Sequence, residues 1–205
     1  CKEGEVRLRV TASAPTAEEG ERLCEEMIGT IRSTPVGRFI YGFDTTLPEA
    51  LVALLKKNGL RLSTAESCTG GLIAQTLTGV PGASEVFDGG VVSYSESVKA
   101  ALLGVRTDTL SRFGAVSAAT AKEMACGVRT LMGADYALSV TGFAGPGGGT
   151  AADPVGTVYI GCATPYGCDV RRFQFKGNRE KVRQWACVNA LSMALSTIRS
   201  QIKRR

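Results

Sequence analysis

The chain has no histidine among its 205 residues. That absence removes the imidazole that usually takes the proton from a nucleophilic serine or cysteine, and with it every zinc site built on imidazole. The seven cysteines, Cys1, Cys24, Cys68, Cys126, Cys162, Cys168 and Cys187, include no C-x-x-C pair. Reduced, mostly buried thiols are therefore expected in place of a disulfide framework or a structural zinc site. Long apolar runs are also missing: nothing approaches the roughly 20 residues that span a bilayer. The opening Cys1-Lys2-Glu3-Gly4-Glu5 does not read as a secretory signal. A cytoplasmic chain without membrane attachment is the expectation, and a start on cysteine suggests a piece of a longer protein. Excess charge is small as well. The net charge is +5, partly from Lys203-Arg204-Arg205, and no dense basic stripe interleaved with aromatics marks a nucleic-acid surface.

What is present is an ordinary globular composition, 44% hydrophobic and 21% charged, with length for one substantial core and a small appendage. Residues 5–12 alternate apolar and charged like a half-exposed strand. Thr16 and Glu19 then form a capping box for a helix with Leu23, Met27, Ile28 and Ile31 on one face, and a short strand over 38–41 follows. This α+β appendage, residues 1–45, is too small to bury much core. A second capping box, Thr46 with Glu49, opens the main domain, 46–205, with a helix that buries Leu51, Leu54 and Leu55 and stops at Gly59. Strands are expected at 60–64, 87–93 and 136–141. Helices are expected at about 69–78, 96–103, 117–132 and 179–202, with a helical turn at 108–113. Two β-rich runs, 155–163 and 169–176, are separated by little more than a Pro-Tyr-Gly turn and should pair antiparallel. The pattern predicts a three-layer α/β/α sandwich around a mixed, mostly parallel sheet.

In such sheets ligands sit beyond the carboxyl ends of the parallel strands. Three polar or glycine-rich segments fall there: 65–71, 93–96 and 141–150. In the first, Ser67 stands where a strand runs into a helix. An immediate helix start would aim free N–H groups beside its hydroxyl, and Gly70 and Gly71 would let a substrate approach the backbone. Without histidine the base must be something else, and Lys99, early in a helix capped by Ser95, can reach back toward the strand end. An ordinary lysine is neutral in about one molecule in 2,500 at pH 7, a deficit of about 4.6 kcal/mol that burial must offset. Tyr94 could position the proton or the substrate. Glu66, pointing away from Ser67 across the extended chain, is expected to bind a ribose hydroxyl or a backbone N–H. Cys68 reads as a small buried filler. The loop Gly142-Phe143-Ala144-Gly145-Pro146-Gly147-Gly148-Gly149-Thr150 matches neither a Walker A loop nor G-x-G-x-x-G, and reads as a lid or wall. Arg171, Arg172, Lys176, Arg179, Lys181 and Arg183 form a basic cluster suited to a phosphate. From the residues alone, a Ser/Lys hydrolase and a non-catalytic binding fold both remain.

Five segments in order, Ala65-Glu66-Ser67-Cys68-Thr69-Gly70-Gly71, Tyr94-Ser95-x-x-x-Lys99, Gly114-Ala115-Val116-Ser117, Thr141-Gly142-Phe143-Ala144-Gly145-Pro146 and Pro154-Val155-Gly156-Thr157-Val158, closely resemble the C-terminal domain of the CinA family of competence/damage-inducible proteins. The likeness covers about 46–202. Residues 5–45 resemble the tail of the small KH-like middle domain of full-length members, without a G-x-x-G loop to support RNA binding. Stand-alone members of the family are nicotinamide-nucleotide amidases. The resemblance implies hydrolysis of the carboxamide of nicotinamide mononucleotide, giving nicotinic acid mononucleotide and ammonia, with no metal and no cofactor. Ser67 would be the nucleophile, Lys99 its base and Tyr94 a neighbour. Glu66, Thr69, Gly70, Gly71, Thr141, Gly142, Ala144 and Gly145 would line the substrate, and Arg179 and Arg183 would meet its phosphate. The implied partner is a small-molecule nucleotide, with no nucleic acid and no membrane; sheet edges and exposed helix faces leave a homodimer open. The alternative is a regulatory domain that binds the nucleotide without turnover. Glu96 and Asp153 depart from the expected asparagine and lysine, each adding negative charge near a supposed anion.

Overall fold

The computed structural model describes residues 5–203 and separates them into two compact units, with the division between Thr46 and Leu47. In the first unit Thr16 Oγ1 accepts the Glu19 N–H at 3.3 Å and caps α1 (Ala17–Ser33). None of the α1 residues is buried. The strands expected at 5–12 and 38–41 are absent: the first segment is irregular and the second overlaps a three-residue 3-10 turn, Gly37–Phe39. Alternation specifies a strand only where one face has a layer to bury against. Here Val6 and Leu8 are exposed.

The second unit holds the core. It opens with α2 (Leu47–Lys57), which buries Leu47, Leu51, Val52 and Leu55. Five strands follow, β1 (Leu62–Glu66), β2 (Phe87–Val92), β3 (Tyr136–Gly142), β4 (Thr157–Thr164) and β5 (Gly167–Gln174), in the spatial order β2-β1-β3-β4-β5. β1 is parallel to both β2 and β3, whereas β4 runs antiparallel to β3 and to β5. β4 alone is reversed. The carboxyl ends of β1, β2, β3 and β5 consequently lie along one edge of the sheet.

Side-chain alternation sorts the helices into two layers. Ala65, Ala137 and Ala163 face α6 (Ala118–Met132), where they pack with Met124, Ala125 and Val128; Leu103 of α4 (Glu96–Leu103) and Leu110 of α5 (Thr107–Phe113) complete this cluster. The intervening positions face the other way, toward α3 (Leu72–Thr78) and α7 (Arg179–Ile202). There Tyr136 donates its hydroxyl proton to Gln201 Oε1 at 2.9 Å. The α6 layer sits unusually close to the sheet: a Cβ on Gly161 would lie 2.9 Å from the Ala121 carbonyl oxygen. No described helix is long and apolar enough to cross a membrane.

Candidate active site

The site begins at the end of β1. The Ser67 N–H donates to the Val140 carbonyl at 2.9 Å, and the Glu66 carbonyl accepts the Ser93 N–H at 2.8 Å. Ser67 is thus fixed between the carboxyl ends of β3 and β2. The helix does not start at once. A tight turn closes through the Gly70 N–H onto the Ser67 carbonyl at 3.1 Å, Gly70 and Gly71 take φ of +60° and +96°, and α3 begins only at Leu72. Side chains at those two positions would be strained, which is why the pair is glycine.

This delay changes the role of Glu66. Its carboxylate accepts the N–H groups of Gly71, Ile73 and Ala74 at 3.0, 3.1 and 2.9 Å. The donors at the start of α3 are therefore occupied, and the expected oxyanion site made of free helix N–H groups is not there. Of the two expectations for Glu66, the backbone N–H is realised: the carboxylate is buried and accepts three backbone donors. Two donors are left on the turn, the Cys68 N–H and the Thr69 N–H, neither of which meets an acceptor among the described residues. The direction of the Thr69 N–H follows from Arg183, whose Nε and Nη2 donate to the carbonyls of Cys68 and Thr69 at 3.1 and 2.8 Å. In a trans peptide the N–H points opposite the carbonyl, so turning the Cys68 oxygen toward α7 turns the Thr69 N–H away from it. Thr69 Oγ1 is buried without a hydrogen-bond partner.

Lys99 approaches from the other side. Ser95 Oγ accepts the Val98 N–H at 3.3 Å and starts α4 so that Lys99, one turn in, points back along the helix to the strand ends. It is 1% exposed. Its Nζ lies 3.0 Å from Ser67 Oγ and 2.6 Å from the Ser93 carbonyl oxygen. No carboxylate forms an ion pair with it among the described residues. Burial lowers its pKa below the ordinary 10.5, against smaller opposing effects from Cys68 and Glu96. Cys68 is itself buried and its thiol is pushed up to about 12 by desolvation, which leaves it protonated beside the more reachable hydroxyl.

The remaining expected residues divide. Tyr94 is 63% exposed and its hydroxyl accepts from Arg179 Nη2 at 3.0 Å, with no hydrogen bond to Ser67 or Lys99. Arg179 Nη1 also donates to the Gly145 carbonyl at 2.8 Å. One side chain of α7 thereby ties the segment after β2 to the loop after β3, and Tyr94 becomes part of a rim. Two expected lining residues serve the fold. Thr141 is buried with its hydroxyl donating to the Ala115 carbonyl at 2.7 Å, on the α6 side of the sheet. Gly142 is paired in the ladder to Val158, where a Cβ would lie 2.7 Å from the Thr157 carbonyl oxygen. Ala144 is buried. Asp153 does not bring uncompensated charge: it accepts from Arg172 Nε at 2.9 Å and from the Tyr159 hydroxyl at 3.0 Å. The residue whose role the sequence concealed is Ser93, whose carbonyl orients the ammonium. Only its place at a strand end pointed to it.

An α/β/α domain with a serine hydroxyl and a buried lysine in contact at the carboxyl edge of its sheet is the class that fold and site define. The chain belongs to the CinA family: the model of the CinA C-terminal domain matches residues 44–198. Among curated relatives, a CinA-like protein from Kosmotoga olearia is 47% identical over 192 residues, covering 93% of this chain and 46% of that protein. A putative competence-damage inducible protein from a Thermoanaerobacter species is equally similar, with the same coverage. The chain therefore spans about half the length of these relatives. Among solved structures, a competence-damaged protein (CinA) superfamily protein from Klebsiella pneumoniae is 36% identical with a TM-score of 0.73, covering 75% of this chain and 96% of that one. A competence/damage inducible protein from Agrobacterium tumefaciens is 40% identical with a TM-score of 0.68, covering 74% and 96%.

Proposed function

We propose that the second unit is an amidohydrolase that converts nicotinamide mononucleotide to nicotinic acid mononucleotide and ammonia through an acyl-enzyme on Ser67. The observation that carries this reading is the 3.0 Å contact between Ser67 Oγ and a lysine that is almost wholly buried and forms no ion pair among the described residues. The substrate comes from the resemblance of the motifs to nicotinamide-nucleotide amidases. Neutral Lys99 takes the proton from Ser67 as the hydroxyl attacks the carboxamide carbon. The Thr69 N–H donates to the developing oxyanion. The lysine then gives its proton to the leaving ammonia, and water, deprotonated by the same amine, releases the acid. Arg179, exposed at the rim with N–H groups not engaged by Gly145 or Tyr94, receives the phosphate.

Ammonia release from nicotinamide mononucleotide, measured with a chelator present, tests this reading. Ser67→Ala and Lys99→Ala should each abolish turnover while leaving the fold intact. A Ser67→Ala protein that turns over at the unaltered rate would overturn it. Binding of the mononucleotide by calorimetry without any ammonia would assign the site to binding alone.

A further inference from the structure

The loop between β3 and β4 is closed at its stem and fastened again farther out. At the stem Phe143 donates its N–H to the Thr157 carbonyl at 2.9 Å and accepts the Gly156 N–H at 2.7 Å. Farther out the Thr150 N–H donates to the Asp153 carbonyl at 2.8 Å, and Thr150 Oγ1 accepts the Asp153 N–H at 2.9 Å, which closes a tight turn. That turn is tied to the sheet. Tyr159 and Arg172 are cross-strand partners on β4 and β5, so both side chains leave the same face. Arg172 Nε donates to Asp153 Oδ1 at 2.9 Å and its Nη2 to the Ala152 carbonyl at 3.0 Å, while the Tyr159 hydroxyl donates to the same Oδ1 at 3.0 Å. An exposed ion pair alone would fix little; a guanidinium that takes a carboxylate and the neighbouring carbonyl together sets an orientation.

The path inward from this fastening is short. Asp153 leads through Pro154 to Val155, and a Cβ on Gly145 would lie 2.8 Å from Val155 Cγ1. Gly145 reaches that contact with φ of +85°, and its carbonyl accepts Arg179 Nη1 at 2.8 Å. The hydrogen bonds that hold Ser67 and Lys99 come instead from Val140, Ser93 and the Ser95 cap. The two sets of contacts are separate.

We propose that Asp153, Arg172 and Tyr159 are positioning residues for the substrate phosphate: by fixing Val155 against Gly145 they hold the carbonyl that aims the Arg179 guanidinium. This rests on the reading of Arg179 as the phosphate arm. With the fastening in place, Arg179 presents its remaining N–H groups in one direction before the ligand arrives. Without it the glycine-rich loop lets the Gly145 carbonyl swing, and the ligand must order the arm at the expense of affinity. Binding should suffer while the chemical step is spared, because the nucleophile and its base are held by other elements.

The test measures Arg172→Ala and Asp153→Ala in the whole chain, against nicotinamide mononucleotide and against the corresponding nucleoside, which keeps the carboxamide and lacks the phosphate. The expected result is a KM for the mononucleotide raised about tenfold at unchanged kcat, with the KM for the nucleoside unmoved. In an Arg179→Ala background the same substitutions should change KM by less than about twofold, since the arm they aim is gone. Hydrogen exchange should quicken in the peptide covering 144–156 and stay the same in those covering 62–67 and 96–103. An equal KM rise for both substrates, a rise that persists without Arg179, a loss of kcat, or unaltered exchange over 144–156 would overturn the proposal. The underlying reading is checked by the parent chain: if it releases no ammonia, the calorimetric Kd of the mononucleotide replaces KM in the same comparisons. A parent chain that neither binds nor hydrolyses the mononucleotide sinks both.

Discussion

Two buried charges flank Ser67, and their surroundings differ. On the α3 side, Glu66 is 1% exposed and receives three backbone N–H groups. On the α4 side, Lys99 is equally hidden but meets one hydroxyl and one carbonyl, with no anion. Equal burial therefore produces opposite outcomes. Three backbone donors fix the Glu66 carboxylate in the turn after Ser67, whereas Lys99, short of partners, is shifted by burial toward its neutral form.

The largest expected effect of breaking this contrast is on the lysine side. With Lys99 as the proposed base, Lys99→Met should reduce ammonia release by at least about a thousandfold, because no other side chain hydrogen-bonds Ser67 Oγ among the described residues. The same variant should melt no lower than the parent, and higher at neutral pH, since a desolvated ammonium is replaced by an apolar chain of similar length. Thermal melting and turnover of one preparation check both halves. Next in size is Glu66→Ala, which leaves three N–H groups at the start of α3 without an acceptor and should cost about 3 kcal/mol. A denaturant titration measures it. An unchanged midpoint would show that the α3 turn holds without the carboxylate.

Arg183→Lys sharpens the comparison on the loop itself. A single ammonium cannot hold both the Cys68 and Thr69 carbonyls as the planar fork does, so kcat should fall about tenfold with KM little changed. A raised KM at constant kcat would instead assign Arg183 to the phosphate. The smallest effect concerns pH. Activity needs neutral Lys99, so the rate should climb with pH through a value below the ordinary 10.5, and Glu96→Gln should move that limb lower by removing an anion that favours the ammonium. Stability carries the same sign. Between the lowered folded value and the unfolded one, the unfolded chain binds more protons, so stability rises with pH across that window.

Much of this arrangement was legible in the residues, and the misreadings have identifiable causes. The bounds of α4 and α7 match expectation because local caps define them: Ser95 and Asn178 each accept an N–H three residues on. The start of α3 was placed early because a strand followed by Ser-Cys-Thr-Gly-Gly reads as an immediate helix, and the positive φ at Gly70 and Gly71 that delays it is not encoded by periodicity. Thr141 is expected to line the substrate from the motif resemblance, but its hydroxyl turns to the Ala115 carbonyl on the α6 side, and that direction depends on the helix layer that covers the face, a non-local fact. The nearness of Ser67 and Lys99, 32 residues apart in the chain, was read from chemistry by excluding imidazole, whereas the burial that lowers the lysine pKa needed three dimensions. The appendage shows the converse: good local patterning at 5–12 and 38–41 without a neighbouring layer to make it a sheet.

The reversed strand β4 has one further consequence. By running back from the reacting edge it lets β5 return there and deliver α7, with Arg179 and Arg183, to the same side as Ser67. The hairpin that makes the return, Pro165–Gly167, lies at the far end of the sheet with Tyr166 exposed. That bend is the natural port for inserted sequence: a peptide tag or a small reporter domain grafted at Tyr166 would hang from the pole opposite the chemistry.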